Sequence, residues 1–241
     1  MPFQIPIDQI VNFCSVIVLL IISRRFWEKT REHELPSLNA FRWFFILILF
    51  MMILFSLPLL LIKNPLLIQV AWDLGSIFFL GEVALLIRFI AFLIAPKRKL
   101  FTFYLPVLVA LVGVGIFAWQ ILELKPSPIV AIASIGSFEL IEFKDTSPIL
   151  SNAILGGIGL TIFISASLLF LRTALHTLDK NVKKRSFLLS SGFGIATLAI
   201  ISNFVLPQVF EEVAFFFVAS AATFASIFLV YRGALVEIEA R

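Results

Sequence analysis

Apolar runs long enough to cross a lipid bilayer follow one another along almost the whole of this chain, and no other feature limits its fold so strongly. A membrane helix needs about 20 predominantly apolar residues. Runs of this kind extend from Ile7 to Ile22, Phe41 to Ile62, Ile68 to Ala95, Phe101 to Leu122, Pro148 to Leu171, Phe187 to Leu206 and Val209 to Tyr231. They predict one all-α integral membrane domain over residues 1–241, a bundle of seven transmembrane helices. Composition agrees: 61% of residues are hydrophobic and 14% charged, with a mean hydropathy of +1.07. A soluble domain is about half apolar and a quarter charged, and could not hide this much apolar surface. The 28 Phe against two Tyr suit hydrocarbon better than a polar cleft.

The net charge of +4 is a matter of topology rather than of nucleic-acid binding. Loops on the cytoplasmic side of a membrane are enriched in Lys and Arg. Arg24, Arg25, Lys29, Arg31 and Arg42 follow or flank the first gap, Lys97, Arg98 and Lys99 follow span three, and Arg172, Lys180, Lys183, Lys184 and Arg185 follow span five. Arg232 and Arg241 end the chain, whereas the alternate gaps hold only Lys63, Lys125 and Lys144. The opposite face is acidic, with Asp8, Glu123, Glu139, Glu142, Asp145, Glu211 and Glu212. This alternation predicts a multi-pass protein of the cell membrane with an odd number of spans, N-terminus outside and C-terminus in the cytoplasm. The first run lacks a basic segment before it and carries its charges after it, the wrong order for a cleaved signal peptide.

The gap from Glu123 to Ser147 is the one long external loop. Lys125-Pro126-Ser127-Pro128 must leave the helix, because proline removes a donor and clashes with the preceding turn. Ile129–Ser134 and Ser137–Phe143, on either side of Gly136, are β-prone and predict a short hairpin over the bundle. An interfacial helix lying on lipid is the competing reading. Pro58 is expected to break the outer part of span two, and Pro106 to kink span four early.

Ionisable groups at membrane depth are costly and therefore mark candidate sites. Glu82 lies near the middle of span three, with Ala71, Gly75, Phe78, Leu85 and Phe89 on its helical face. Either it contacts a ligand or carries a proton, or it is a neutral carboxyl bonded to a neighbouring helix, with spans five to seven the expected source. Arg88, six residues on, is turned by roughly 120° around the helix and cannot pair well with it. Asp73, Gln120, Glu123, Asn152, Asn203, Glu211 and Glu212 fall in the outer thirds of their spans; together they would line an outer polar pocket, and singly they suit helix ends near water. Gly156, Gly157 and Gly159 in span five, Gly192 and Gly194 in span six, and Ser220 and Thr223 in span seven are expected to let helices approach closely. Cys14, the lone cysteine, reads as a small core hydrophobe.

Several chemistries lack their residues. His33 and His176 fall between spans, so no axial haem ligand is available within the membrane. Paired cysteines and HExxH are missing, and Ser190-Ser191-Gly192 has no intramembrane histidine to act as a base. No metal, no cofactor and no catalytic group is expected. The helix count is similar to that of microbial rhodopsins. That family needs a lysine in its seventh helix to hold retinal, and Phe215-Phe216-Phe217-Val218-Ala219-Ser220-Ala221-Ala222 contains none.

The predicted N-out topology, the β-prone loop between spans four and five, the basic Lys183-Lys184-Arg185 leading into Leu188–Gly194, and Tyr231-Arg232-Gly233 at the end of span seven resemble the seven-helix sensor region N-terminal to some prokaryotic histidine kinases and cyclase-type proteins. The resemblance implies a membrane sensor or receptor-like module that binds a small or lipidic signal in the outer half of the bundle and signals to cytoplasmic partners. No output domain follows Arg241 in the sequence, so a free-standing module and a piece of a longer chain are both open. No functional residue carries over. Two other readings stand beside it: an accessory subunit packing its Phe-rich surface on a membrane-protein partner or a second copy of itself, and a small proton-coupled transporter using Glu82.

Overall fold

A computed structural model describes residues 3–31, 35–56, 64–135, 138–202 and 214–239. Among these are seven α-helices: α1 (Ile7–Thr30), α2 (Pro36–Ser56), α3 (Pro65–Ile94), α4 (Leu105–Leu122), α5 (Ile149–His176), α6 (Lys180–Ile200) and α7 (Ala214–Glu239). Three short strands accompany them: β1 (Phe3–Pro6), β2 (Ile129–Ile135) and β3 (Phe138–Phe143). Five helices are long and apolar enough to cross a membrane: α2, α3, α4 with the turn before it, α5, and Val218–Val236 of α7. The chain is a helical multi-pass membrane protein. The other two helices run on into charged segments. α1 keeps its helical path through Arg24, Arg25, Glu28 and Lys29 to Thr30, eight residues past the predicted end at Ile22. α6 starts at Lys180 and takes Lys183, Lys184 and Arg185 into its first two turns, seven residues before the predicted start at Phe187.

Local chemistry accounts for the helix ends. Asn64 caps α3 by accepting from the Leu67 amide, with Pro65 in the first turn, where its missing N–H costs nothing. Asp179 caps α6 by accepting from the amides of Asn181 and Val182 at 2.7 and 3.1 Å, a carboxylate placed at the positive end of the helix dipole. The irregularity expected at Pro106 falls at the start of the span. A π-helical turn over Leu100–Tyr104 leads into α4, and Pro106 sits in the first turn of that helix; the wider turn accommodates a residue without an amide hydrogen. Pro58, Gly136, His33, Asn203, Glu211 and Glu212 lie outside the described residues.

Helices adjacent in sequence pack side by side from α1 to α4 and again from α5 to α7, while α3 meets α5 and α1 meets α7. The interior is aromatic: Phe41 lies 4.4 Å from Phe89 between ring centroids, Phe89 stacks on Phe170 at 6.2 Å, and Phe170 stacks on Phe193 at 5.9 Å. These four rings link α2, α3, α5 and α6. In lipid, helix association rests on close packing rather than on the hydrophobic effect, and each such ring pair contributes about 0.5–1.5 kcal/mol. The outward faces are equally apolar, with Leu108, Leu111 and Leu168 each about 60% exposed, as lipid-facing residues should be. Cys14 is exposed on α1 beside Phe13, Ile17 and Val18. It faces away from the core, contrary to the sequence expectation, because that part of α1 turns its apolar surface outward.

The loop after α4 forms the predicted hairpin, β2 running antiparallel to β3 with a register shift between Ala131 and Ala133. The N-terminal strand β1 pairs in parallel with β3, giving the order β1-β3-β2, a third strand that the sequence pattern did not indicate. The interfacial-helix alternative is thereby excluded. Ile141 and Phe143 of β3 pack on Ile68 and Trp72 of α3, which seats the sheet on the end of the bundle opposite Arg24, Lys99 and Lys180.

Candidate functional site

Beneath the sheet, polar side chains from α3, α4, α5 and the segment 144–148 converge. Gln69, on the second turn of α3, is 1% exposed, and its amide nitrogen lies 2.9 Å from each of Asp73 Oδ1, Asp145 Oδ1 and Ser147 Oγ. Its amide oxygen accepts from the Thr146 amide at 3.1 Å and from the Thr146 hydroxyl at 3.0 Å. Asp73 follows Gln69 by one turn, so both project to the same side of α3. Ser147 Oγ stands between the two carboxylates, 2.7 Å from Asp73 Oδ1 and 2.6 Å from Asp145 Oδ1. Asn152 of α5 donates to the other Asp145 oxygen at 2.8 Å.

A second tier continues inward. Ser76 Oγ lies 2.6 Å from the Asp73 carbonyl and 3.1 Å from Gln120 Oε1. Gln120 of α4 donates in turn to Ser151 Oγ of α5 at 3.2 Å. The cluster ties three helices together at one level, and the segment 144–148 closes it. That segment is held by three further bonds: Ser127 Oγ to the Lys144 carbonyl, the Lys144 amide to the Pro128 carbonyl, and Thr146 Oγ1 to the Lys125 carbonyl.

Of the predicted outer residues, Asp73, Gln120 and Asn152 therefore come together. They form a hydrogen-bonded cluster. Sequence reasoning missed Gln69, Ser76, Thr146, Ser147 and Ser151 as members and had Asp145 only as part of an acidic face. A signal for the last group was present: Asp145-Thr146-Ser147-Pro148 directly before a helical run is a segment whose side chains bond to nearby backbone, and the Ser147 amide does donate to Asp145 Oδ1 at 2.9 Å.

Glu82 is separate from this cluster. It is 4% exposed and lies in the aromatic seam of α2, α3 and α5. Its helical face carries Phe78, which stacks on Phe50 of α2, and Phe89, which touches Phe41 of α2 and Phe170 of α5. The carboxyl oxygen Oε2 is buried and has no hydrogen-bond partner among the described residues. The expected bond to spans five to seven is not found there. Arg88 is exposed and places its guanidinium 5.5 Å from the Phe92 ring centre, a cation–π contact on another side of the helix.

Some of the small residues sit where helices approach closely, and Gly157 does not, with nothing within 4 Å of a Cβ placed on it. A Cβ on Gly192 would lie 2.6 Å from a Val230 methyl, 3.0 Å from the Val230 nitrogen and 3.2 Å from the Ser226 carbonyl of α7. Gly159 lies against Phe79, and Gly194 lies against Ser167. Gly156 is buried in α5. Ser167 and Ser190 exchange hydroxyl-to-carbonyl bonds of 2.9 Å in both directions between α5 and α6. Ser220 is half-buried, and Thr223 turns back to the Ala219 carbonyl of its own helix. Among the described residues no group of three His, Cys, Asp or Glu could hold a metal ion. Compared with known proteins, the chain matches no protein-family model and no curated protein.

Proposed function

We propose that the chain is a membrane sensor module of seven spans, with its N-terminus and sheet outside and its C-terminus in the cytoplasm. It reads a small polar signal through the cluster around Ser147 and passes a helix shift to partners at the basic end. The carrying observation is a shortage of hydrogens. Ser147 has one hydroxyl hydrogen for two carboxylate oxygens at 2.6 and 2.7 Å. The Gln69 amide has two hydrogens for three acceptors. One proton held between the carboxyls supplies a hydrogen for the second Ser147 contact; without it, two like charges face each other across one hydroxyl. The closed arrangement is thus coupled to proton uptake, and a proton is the simplest signal that it reads. The distribution of basic residues supports the orientation, since Lys and Arg gather at the end opposite the sheet.

Hydrogen exchange on the purified protein, corrected for intrinsic rates, tests this reading. Protection of residues 144–152 should fall as pH rises through the carboxylate range, and the basic ends of α6 and α7 should change with it. Asp145→Asn removes one charge and brings its own amide hydrogens, so it should keep the segment protected at every pH. A wild-type segment indifferent to pH, or a change confined to the loop, would sink the proposal. A second reading rests on Glu82: a buried carboxyl whose Oε2 has no partner among the described residues suits a proton carrier in a small transporter. Its mark is proton-coupled uptake into vesicles that Glu82→Gln abolishes at unchanged protein level.

A further inference from the structure

At the basic end, α1 and α7 leave a cleft of about 420 Å³ between them, within the range of small-molecule sites, about 300–1,000 Å³. Arg25, Glu28 and Lys29 line it from α1, and Phe228, Tyr231 and Arg232 from α7. Among the described residues the one acid in this lining, Glu28, is engaged by Arg24 at 2.8 Å. Arg25, Lys29 and Arg232 line the same small volume. Arg25 and Arg232 are exposed and form no ion pair among the described residues. The lower wall is apolar: Phe228 is 56% exposed on a helix whose outward face is otherwise suited to lipid, and Tyr231 is held against Phe45 at 6.4 Å between ring centres.

The height of the cleft relative to the bilayer is marked by tryptophan. Trp27 and Trp43, 42% and 47% exposed, meet edge to face at 6.4 Å, and the Arg42 guanidinium lies 5.6 Å from the Trp27 ring centre. Exposed tryptophans beside cations sit at the membrane–water interface. Arg25 and Lys29 lie within two residues of Trp27, so the cations of the cleft are at headgroup level and Phe228, one helical turn below Arg232, is at the level of the first acyl carbons.

We infer that this cleft binds the phosphate of an anionic phospholipid. Arg25, Lys29 and Arg232 surround the headgroup, with the Tyr231 hydroxyl in reach, and Phe228 lies along the start of an acyl chain. The amphiphilic wall selects a membrane lipid over free phosphate. Guanidinium groups present paired N–H donors that match phosphate oxygens. The site is independent of the proposed sensing cluster, which lies at the other end of the bundle.

The test uses the full chain in nanodiscs of phosphatidylcholine with and without phosphatidylglycerol, and native mass spectrometry to count the anionic lipid retained. Each cation near an anionic surface contributes about fivefold in affinity, so the double variant Arg25→Gln/Arg232→Gln should bind phosphatidylglycerol about 25-fold more weakly. Arg98→Gln/Lys99→Gln removes the same charge at the same end, outside the cleft, and should retain the lipid as the unaltered protein does. Equal loss in the two double variants would mean diffuse attraction and overturn the site. Displacement of the lipid by millimolar inorganic phosphate would overturn the lipid assignment in favour of a free phosphate site.

Discussion

Gln69→Leu isolates the contribution of the polar cluster from that of packing. Leucine nearly fills the volume of a side chain that is 1% exposed, so the change is one of hydrogen bonding. It strips the Thr146 amide and hydroxyl of their acceptor and Asp73 and Asp145 of a shared donor. Thr146 Oγ1 keeps the Lys125 carbonyl, and the two carboxylates keep one Ser147 hydroxyl between them. Two groups are left short, the Thr146 amide and the buried Asp73 carboxylate. Each buried polar group without a partner costs about 1–3 kcal/mol, so local opening of residues 144–148 should become about 2–6 kcal/mol easier. At 1.4 kcal/mol per factor of ten, amide exchange in that segment should accelerate by at least about 30-fold. The crossing at Ser167 and Ser190 shares no bond with Gln69 and should be unaffected. Asn152→Ala is the internal control: it deletes one bond to the exposed Asp145, worth about 1 kcal/mol or less. Acceleration below about threefold, equivalent to about 0.7 kcal/mol, would show that the cluster does not hold the segment and refute the reasoning.

Gly192→Ala drives a Cβ into the Val230 backbone and should lower thermal stability in detergent by about 1–3 kcal/mol. Gly157→Ala, with nothing within 4 Å of the new Cβ, should match or exceed the native protein, because alanine is the better helix former; equal losses for the two would remove the packing explanation. Glu82→Leu should raise the melting temperature, since it replaces a buried carboxyl oxygen that lacks a partner among the described residues with an apolar group; a lower one would show that Glu82 is bonded. Reporters inserted near Gly136 and fused after Arg241 should be active on opposite sides of the membrane, and the same side for both contradicts an odd number of spans.

The helices were legible because each depends on a long local pattern. Their ends were less so, and the reason differs at each. Apolar content alone cannot show where α1 stops, because Arg24, Arg25, Glu28 and Lys29 are good helix formers and the helix runs on through them. The same holds for the lysines that open α6. The hairpin was readable from β-branched and aromatic residues around Gly136. The pairing of β1 with β3 was not, because it joins Phe3–Pro6 to Phe138–Ile141 across a separation on which no local pattern bears. Cys14 shows the limit of treating an apolar run as uniform: which stripe of α1 faces lipid is set by where α2 and α7 lie.

The candidate site was legible in half, and the division has a physical cause. Asp73, Gln120 and Asn152 stand out because a polar residue inside an apolar helix is conspicuous. Asp145, Thr146 and Ser147 sit in a loop, where polar residues are ordinary, yet they supply the second carboxylate and the hydroxyl between the two. Gln69 lies in the first turns of α3, close enough to the helix end to read as a residue near water, and it is among the most buried polar groups described. What singles out these four is the number of acceptors each donor must serve, a property of three-dimensional placement. Ser147→Ala puts that point to the test. If the cluster depends on the shared hydroxyl, its removal brings two carboxylates together with only the Gln69 amide between them, and the pH dependence of exchange at residues 144–152 should steepen. If Ser147 merely caps a turn, the variant should lose a little protection equally at all pH values, and the proton-coupled reading of the cluster falls with it.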